Sequence, residues 1–356
     1  MRAPITLFVP GLEGGGAQRV FTTLANSLVD VTDHPVHMVL VRRGGVFRDH
    51  LRPEVNVFDL DTGRVSRAIP RLARYLRSTQ PVVLCSTLNY CNVIAVCAWV
   101  IAGRPCRLVL REANVATSAT RKMRFLMRMT YPRADCVVAL SPEVKDHLLQ
   151  AGIPVGPKTV EIGNPIALNS SEAVRGPLDF LPIPNPSFIC AVGSLSHQKG
   201  FDLLINAFSQ LNNHEVHLVI LGEGTMREEL EAQCRDLNLT ERVHLPGFVE
   251  TPRDVVRRAQ LFVLSSRFEG FPNVLLEALS TGTPIVATDC PGAPRSMLED
   301  GELGHLVKPD DAEALSVGLM AALKAPRGTP EARMARAEDF AADKIAQLYL
   351  NRAFCI

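Results

Sequence analysis

Short apolar runs that are typical of buried β-strands recur along the whole chain, with helical patterns between them. Apolar strands separated by helices predict parallel sheets that are covered by helices on both faces. A Pro-rich stretch, 176–187, interrupts the series, and the pattern then restarts. We therefore predict two doubly wound α/β domains. The expected strands are 5–10, 36–41, 55–60, 82–88, 107–113, 136–141, 159–164, 188–195, 216–222, 242–248, 261–266, 284–289 and 304–309.

One predicted helix lies between two of these strands, in SSRFEGFPNVLLEALSTGTPIVATD, residues 265–289. Pro272 and Asn273 form a helix-start signal and Gly282 a stop signal, so the helix should cover about 273–280. The first amide groups of a helix have no partner within it, and the helix dipole favours an anion there. The pattern predicts a phosphate site at this helix start.

Two glutamates, Glu269 and Glu277, lie on either side of that helix start. Helical side chains lean toward the N-terminus, so Glu277 should face the same ligand as Glu269. Two carboxylates would repel a phosphate unless they accept hydrogen bonds from hydroxyl groups on either side of it. A nucleotide-sugar has this layout, and we predict it as the ligand. The alternative is a capped helix with two solvated glutamates.

Ligands of parallel sheets bind at the carboxyl ends of strands, and three further loops at such ends carry glycine or a cation. Gly14, Gly15 and Gly16 open a helix after the first strand, although their spacing is not the dinucleotide fingerprint. Lys199 lies before a helix, where its ammonium group would reach a phosphate. The third loop lies within 221–230. A plain glycine-rich turn and an exposed lysine are the alternatives.

The net charge of +1 conceals an asymmetry between the two halves. Residues 1–170 contain 21 Lys and Arg against 12 Asp and Glu, whereas the remainder contains 17 against 25. A basic half suits nucleic acid or an anionic membrane, and the lack of interleaved aromatic residues or a recognition module argues against nucleic acid. The longest apolar stretch, 93–103, is too short to span a bilayer, and no signal peptide precedes the first strand. The nine cysteines lack a C-x-x-C pair, which predicts reduced, buried thiols in the cytosol.

The order of four motifs resembles the retaining GT-B glycosyltransferases that share an E-x7-E motif, the family 4-like enzymes. These motifs are GGGAQRV (14–20), VGSLSHQKG (192–200), LGEGTMREEL (221–230) and EGFPNVLLEALSTGTPIVATD (269–289). The resemblance covers nearly the whole chain and is nearest to bacterial polyprenyl-diphosphate-glycan N-acetylgalactosaminyltransferases. It implies two Rossmann-like domains facing a cleft: an acceptor domain (1–168), a donor domain (169–337) and a C-terminal helix (338–356) that crosses back to the first domain.

The resemblance also assigns roles to residues of this chain. Glu269 would hold the hydroxyl groups of the donor sugar, Glu277 the ribose, and Lys199 the leaving diphosphate. The other donor-binding residues would be Gly15, Gly16, Ser194, Gly247, Val249, Gly270, Phe271, Pro272, Asn273, Val274 and Leu275. The acceptor-binding residues would be Arg111, Glu112 and Asn114.

Two departures from the family pattern stand out. Ser194 occupies the position of a phosphate-binding arginine. Either Lys199 alone then binds the phosphate more strongly, or Arg267 or Arg19 binds it in place of the missing arginine. The stretch 110–118 lacks the histidine that many relatives have near the end of the acceptor strand, which leaves the deprotonation of the acceptor open.

We expect a retaining, metal-independent transfer of a hexose or N-acetylhexosamine from a nucleotide-sugar, with UDP as the nucleotide by analogy. The acceptor would be a glycan or a polyprenyl-diphosphate-linked glycan of cell-surface polysaccharide assembly. The only D-x-D, residues 59–61, lies in a strand, and no cofactor is expected beyond the donor. A sugar-nucleotide epimerase of GT-B fold and a catalytically silent partner of a glycosyltransferase are the alternatives.

One basic stretch, TRKMRFLMRMTYPRA (120–134), mixes cations with apolar residues. On a helix, Met123, Leu126 and Met127 would share one face, flanked by Arg121, Lys122, Arg124, Arg128 and Arg133. We predict that this segment binds an anionic membrane surface, which would place the cytoplasmic enzyme on the inner face of the plasma membrane. The alternative is packing of the apolar face on the sheet, and for a second basic stretch, 66–78, we favour that alternative.

Overall fold

The structure of the chain, a computed structural model, describes residues 2–13, 15–113, 119–155, 158–168, 187–211, 213 and 215–356. The chain divides into two compact units. Unit 1 comprises residues 1–167 and 340–356, and unit 2 comprises residues 168–339. The predicted Pro-rich linker up to residue 186, Gly14 and Asn114 lie outside the described residues.

Unit 1 is built on a seven-stranded parallel sheet of order β3-β2-β1-β4-β5-β6-β7. Its strands are β1 Ile5–Val9, β2 Val36–Leu40, β3 Asn56–Asp59, β4 Val83–Thr87, β5 Arg107–Glu112, β6 Cys136–Ala139 and β7 Thr159–Glu161. Its helices are α1 Gly16–Val31, α2 Ile69–Thr79, α3 Asn89–Ile101, α4 Arg121–Thr130, α5 Pro142–Gln150 and the C-terminal α13 Ala342–Leu348, which continues into a π-helical turn, Tyr349–Phe354.

The two faces of this sheet carry separate apolar cores, because side chains of a strand alternate between its faces. On β5, Val109 packs under α1 and α13, whereas Leu108 and Leu110 pack under α2 and α3. The C-terminal helix α13 lies against α1, and Arg107 Nε donates a hydrogen bond of 2.8 Å to the carbonyl of Ala353. The expected return of the C-terminal helix to the first half of the chain is confirmed.

Unit 2 is built on a six-stranded parallel sheet of order β10-β9-β8-β11-β12-β13. Its strands are β8 Phe188–Val192, β9 His217–Leu221, β10 Val243–Gly247, β11 Leu261–Leu264, β12 Ile285–Thr288 and β13 His305–Val307. Its helices are α6 Phe201–Ser209, α7 Arg227–Asp236, α8 Pro252–Arg258, α9 Asn273–Thr281, α10 Pro294–Met297, α11 Ala312–Lys324 and α12 Pro330–Glu338.

The fold class predicted from the sequence is confirmed, since every expected strand is present in a parallel sheet. The helix expected near 273–280 is α9, which ends before Gly282 because that residue adopts the left-handed conformation, with φ +74°.

All nine cysteines are free, and six are buried. The expectation of burial is wrong for Cys355, which is exposed at the C-terminal end. Among the described residues, no helix is both long and apolar enough to cross a bilayer.

Candidate active site

The loops that follow β8, β11 and β12 meet at the carboxyl edge of the sheet in unit 2. Two glycines allow this close approach of backbones. A Cβ atom on Gly200, at φ +62°, would lie 2.2 Å from the carbonyl oxygen of Ser265. A Cβ atom on Gly292, at φ +125°, would lie 1.9 Å from the carbonyl oxygen of Glu269. Any larger residue would push apart the loops that carry the predicted site.

Two of the three predicted catalytic residues form an ion pair. Lys199 Nζ lies 2.6 Å from Glu269 Oε1, and Ser266 Oγ donates a second hydrogen bond of 2.6 Å to the same oxygen. The Lys199 and Glu269 side chains are only 15% and 7% exposed. The fold thus brings together two residues 70 positions apart in sequence, at a place with little exposure to solvent. Ser266 is a partner that the sequence analysis did not identify.

Helix α9 begins beside this ion pair. Pro272 is the N-cap residue, and its carbonyl oxygen accepts the N–H groups of Leu275 and Leu276 at 3.0 and 3.3 Å. Phe271, Pro272 and Leu275 are buried and anchor the corner, whereas Gly270, Asn273 and Val274 are partly exposed. The first-turn amides of a helix have no partner within it, so this end is suited to an anion.

Glu277 lies one turn into α9, and like Glu269 it is buried, with exposures of 7% and 5% for the two residues. The alternative interpretation of two solvated glutamates is therefore wrong. A carboxylate is rarely buried unless it is hydrogen-bonded or serves a ligand. Both glutamates belong to one short, buried segment of the sheet edge, and their binding of a nucleotide-sugar stays a prediction.

The loop after β12 fixes the position of Glu269. The Glu269 N–H donates to the carbonyl of Pro291 at 2.9 Å, and the Ala293 N–H donates to the carbonyl of Gly270 at 3.1 Å. Cys290 lies in this loop with 4% of its surface exposed, and burial raises the pKa of its thiol to about 12. The thiol therefore stays protonated at neutral pH and behaves as a small apolar side chain.

Ser194, which stands where the family has an arginine, is exposed and hydrogen-bonds Ser196 through their Oγ atoms at 3.1 Å. The contacts of Arg267 argue against the interpretation that it replaces the missing arginine. The Arg267 guanidinium is bound to Asp202, Asp310 and a backbone carbonyl, and its side chain is 11% exposed. Arg19 is exposed on α1, and its role stays a prediction. Lys199 is the cation that lies beside Glu269.

The strand β10 ends in the other predicted donor segment. Gly247 is buried at φ +96°, and its carbonyl oxygen accepts the N–H of Gly222 at 2.8 Å. Val249 is half-buried. Phe248 between them is 78% exposed, although a phenylalanine side chain favours burial. Phe248 is therefore an exposed aromatic residue between the two predicted donor-binding residues.

Two predicted acceptor-binding residues lie at the carboxyl end of β5 in unit 1, but their side chains point into the protein. Arg111 and Glu112 are each 1% exposed. Arg111 donates to Thr87 Oγ1 at 2.7 Å and to Asn164 Oδ1, and Glu112 accepts the Tyr131 hydroxyl at 2.6 Å. Both side chains are bound to protein partners beneath the surface, which argues against their direct contact with an acceptor.

Burial and the neighbouring Glu112 hold the pKa of Tyr131 well above its usual value. The Tyr131 hydroxyl therefore keeps its proton and donates a hydrogen bond to the Glu112 carboxylate. Asn92 Nδ2 donates to the same hydroxyl at 3.0 Å and to the carbonyl of Arg111 at 3.0 Å.

Gly15 is the N-cap residue of α1 and Gly16 its first residue, as expected for the glycine-rich turn.

The basic helix α4 differs from its prediction in which apolar residues are exposed. Met127 is fully buried and Met123 packs beside it, so this face contacts the core of unit 1. The exposed apolar side chains are Phe125, at 62%, and Met129, at 49%. The predicted lipid-facing stripe of Met123, Leu126 and Met127 is therefore wrong for Met127. Met127 lies one helical turn before the buried Tyr131 and packs with it in the same core. The second basic stretch packs its apolar face inward, as favoured, with Leu72 and Leu76 fully buried.

Two parallel Rossmann-like sheets, one in each unit, are the architecture of the GT-B fold, and solved structures show the same fold. The chain aligns with Anabaena HepE bound to UDP at a TM-score of 0.82 and 20% identity, covering 99% of this chain and 100% of that one. It aligns with the lipopolysaccharide outer core galactosyltransferase WaaB at a TM-score of 0.77 and 20% identity, covering 99% of both chains.

Sequence comparison identifies the family. The model of Glycosyltransferase Family 4 matches residues 14–169, and the model of Glycosyl transferases group 1 matches residues 179–339. A Campylobacter jejuni relative, N-acetylgalactosamine-N,N'-diacetylbacillosaminyl-diphospho-undecaprenol 4-alpha-N-acetylgalactosaminyltransferase, is 30% identical over 98% of this chain and 93% of its own length. The chain belongs to the family 4-like GT-B glycosyltransferases and is an enzyme of that class.

Proposed function

We propose that this enzyme transfers a hexose or N-acetylhexosamine from a UDP-sugar to a polyprenyl-diphosphate-linked glycan, with retention of the anomeric configuration and without a metal ion. The observation that carries the proposal is the buried Lys199–Glu269 ion pair at the start of α9, with Glu277 one turn along. A cation, a helix N-terminus and two carboxylates match the diphosphate and the hydroxyl groups of a nucleotide-sugar.

The donor is assigned to unit 2. The diphosphate would lie at the first turn of α9 and take the Lys199 ammonium, while Glu269 would accept a hydroxyl hydrogen bond from the sugar and Glu277 one from the ribose. Gly247 and Val249 would border the base. HepE, a structural neighbour, was solved with UDP, which supports uracil as the base.

The leaving group is stabilised by fixed charge in this proposal. Lys199 and the α9 amides form a preorganised electrostatic site for the departing diphosphate. The two carboxylates of the D-x-D sequence already pair with arginines, since Asp59 lies 3.1 Å from Arg48 Nη1 and Asp61 lies 3.7 Å from Arg43 Nε. This pairing supports a mechanism in which Lys199 holds the diphosphate, rather than one in which those carboxylates hold it through a metal ion.

The stereochemical proposal is front-side attack. The acceptor hydroxyl attacks the anomeric carbon from the side of the leaving diphosphate, and a phosphate oxygen of that group takes the hydroxyl proton. The bond between the anomeric carbon and the phosphate oxygen breaks as the new glycosidic bond forms. This route needs no protein base at the attacking hydroxyl, which fits the buried Glu112 of unit 1.

The acceptor assignment rests on relatives and on surface character. The two Campylobacter jejuni relatives, at 30% and 25% identity, are named as transferases that act on undecaprenol-linked diphospho-glycans. The exposed Phe125 and Met129 of α4, with the cations around them, form a surface suited to an anionic leaflet. A lipid-linked acceptor and a membrane-binding surface together would place the enzyme on the inner membrane face, in polysaccharide assembly.

The proposal is tested by incubating the enzyme with single UDP-sugars and a polyprenyl-diphosphate-linked glycan. Donors are first screened by thermal shift, since a ligand at a hundred times its dissociation constant adds about 2.7 kcal/mol of stability. We expect UDP release only when the acceptor is present, and an α-linked product from an α-linked donor by NMR. UDP release without acceptor, or an epimerised UDP-sugar, would instead support the epimerase.

A further inference from the structure

Two segments of unit 2 bring Lys199 and Glu269 together. We name residues 197–200 the lysine turn and residues 265–269 the glutamate loop. Backbone and side-chain hydrogen bonds join these segments independently of the ion pair. They run from the Arg267 N–H to the Gln198 carbonyl at 2.8 Å, from Gln198 Nε2 to the Phe268 carbonyl at 3.0 Å, and from Ser265 Oγ to the Lys199 carbonyl at 2.8 Å.

The guanidinium of Arg267 extends this junction to two further elements. Nη1 donates to the His197 carbonyl in the lysine turn at 2.8 Å. Nη1 and Nη2 donate to the two carboxylate oxygens of Asp202 at 2.9 and 2.7 Å, and Nε donates to Asp310 Oδ1 at 2.6 Å. A planar group with fixed N–H directions is required to satisfy these partners together, and a lysine ammonium lacks that geometry.

Asp202 lies in the first turn of α6, directly after the lysine turn. A carboxylate there interacts favourably with the helix dipole. Burial by itself would raise the Asp202 pKa, but the hydrogen bonds and charge of Arg267 hold that pKa below its usual value. Arg267 therefore connects the glutamate loop to a charged group at the start of α6, on the far side of the lysine turn.

We propose that Arg267 is a positioning residue for glycosyl transfer, which sets the separation between the Lys199 ammonium and the Glu269 carboxylate by holding the lysine turn against the glutamate loop. The inference rests on the proposed roles of Lys199 and Glu269 in binding the donor. When the donor enters, the Lys199 side chain turns to the diphosphate while the braced backbones stay in place. A shift of about 1 Å between such groups is sufficient to lower a rate about a hundredfold.

The first test compares Arg267→Met, Arg267→Lys and Asp202→Asn with a matched control, Arg242→Met. Arg242 is also a partly buried arginine of unit 2, which donates to the Asn213 carbonyl at 2.7 Å near the opposite, amino edge of the sheet. We expect each Arg267 variant to lose about ten- to a hundredfold in kcat/KM for the donor. The control should keep wild-type kinetics even where its unfolding midpoint falls as far. Equal kinetic losses at matched losses of stability would overturn the proposal.

The second test is a double-mutant cycle between Lys199→Ala and Arg267→Met. If Arg267 acts through Lys199, the double variant should be no slower than Lys199→Ala alone, because the group that Arg267 positions is already absent. Losses that multiply would assign Arg267 a separate role and overturn the proposal.

The same cycle is measured on UDP affinity by titration calorimetry, which separates two kinds of failure. A wild-type enzyme that binds UDP but transfers no sugar would refute the proposed function, while non-additive UDP affinities would still support the role of Arg267. Normal UDP affinity and turnover in Arg267→Met would refute the positioning role alone.

Discussion

The Lys199 ammonium lies 2.6 Å from a carboxylate oxygen of Glu269, and both groups are mostly buried. Each charge therefore neutralises the other before any ligand is present. Removing one partner of a buried pair leaves an uncompensated charge, which is strongly unfavourable. A donor that supplies a diphosphate to Lys199 and a hydroxyl group to Glu269 replaces each lost interaction, and an anion alone satisfies only the lysine.

Replacing Lys199 or Glu277 by alanine should lower transfer by about two orders of magnitude or more, the effect of losing one preorganised polar contact. Steady-state kinetics with the identified donor measures this loss. Lys308→Ala is the control, since Lys308 is an exposed cation of unit 2, with 77% of its side chain accessible. Near-normal turnover in both site variants would refute the assignment of the donor site.

The exchange of Glu269 for glutamine should separate sugar binding from phosphate binding. Glu269→Gln keeps the side-chain volume but frees Lys199 from its counter-charge, so UDP should bind at least as tightly as to the wild type. Transfer should fall by at least tenfold, as expected for a lost charge-assisted hydrogen bond, with ~10²-fold as a typical loss. Calorimetry with UDP, alongside kinetics, tests both effects. UDP affinity that falls as far as in Lys199→Ala would contradict this division of roles.

The strand pattern was predictable because parallel strands are buried on both faces and form continuous apolar runs. The helix start at Pro272 and its end at Gly282 were also predictable, because both follow from local backbone chemistry. The ion pair between Lys199 and Glu269 was not predictable, because it joins residues 70 positions apart. The sequence also suggested that Arg267 was available for a phosphate, whereas its partner Asp202 lies 65 positions away.

The exposure of single side chains was the least predictable feature. Arg111 and Glu112 follow a run of strand residues and suggest a surface site, yet both are buried. Their partners Thr87, Asn164 and Tyr131 come from other elements, so the burial depends on tertiary contacts. The helical period of α4 correctly predicted an amphipathic helix, but not which of its apolar residues the core would cover.

Transfer should survive removal of divalent cations. Lys199 and the amides at the start of α9 supply the positive field that the leaving diphosphate needs. The measurement is the rate after dialysis against EDTA, compared with the rate after adding back magnesium or manganese. We expect rates that agree within about twofold, since losing one preorganised contact costs far more than that. Complete loss in EDTA, restored by either ion, would refute the metal-independent mechanism.

The stability of the enzyme should fall as the pH drops below 6.5 because of a histidine pair in unit 2. His217 Nδ1 lies 2.9 Å from His244 Nε2 across β9 and β10. Burial lowers the pKa of both imidazoles from 6.5, with further lowering by Arg242 at His217 and by His217 at His244. The unfolded chain then binds more protons than the folded one between 6.5 and the lowered values. Stability is therefore full above that range and is lost as the pH falls through it.

Replacing His244 by glutamine should reduce this pH dependence. The unfolding midpoint is measured from about pH 8 to about pH 5.5, the interval in which histidines titrate. The control is His305→Gln, at a half-buried position of β13 whose Nε2 lies 3.1 Å from the Ala325 carbonyl oxygen. Equal pH dependence in the wild type and in His244→Gln would show that the pair does not govern acid stability.

Binding to anionic membranes should depend on the outer face of α4. Arg121 and Lys122 are exposed in the first turn of this helix, where the helix dipole would favour acidic residues instead. Phe125 and Met129, one turn apart, add exposed apolar side chains on the same helix. Each cation near an anionic leaflet contributes about 1 kcal/mol, and apolar side chains would insert beside it.

Sedimentation with phosphatidylglycerol-containing liposomes at low and high salt measures this binding. We expect Arg121→Glu with Lys122→Glu to abolish the salt-sensitive part, and Phe125→Ser with Met129→Ser to weaken the remainder. The matched control is Val317→Ser with Met320→Ser on α11, two apolar residues that are 57% and 46% exposed in unit 2. Since salt screens the charges but not the apolar contacts, the two α4 variants should differ in their salt response. Equal binding by all four proteins would remove α4 as a membrane surface, and the lipid-linked acceptor would then rest on the two Campylobacter jejuni relatives alone.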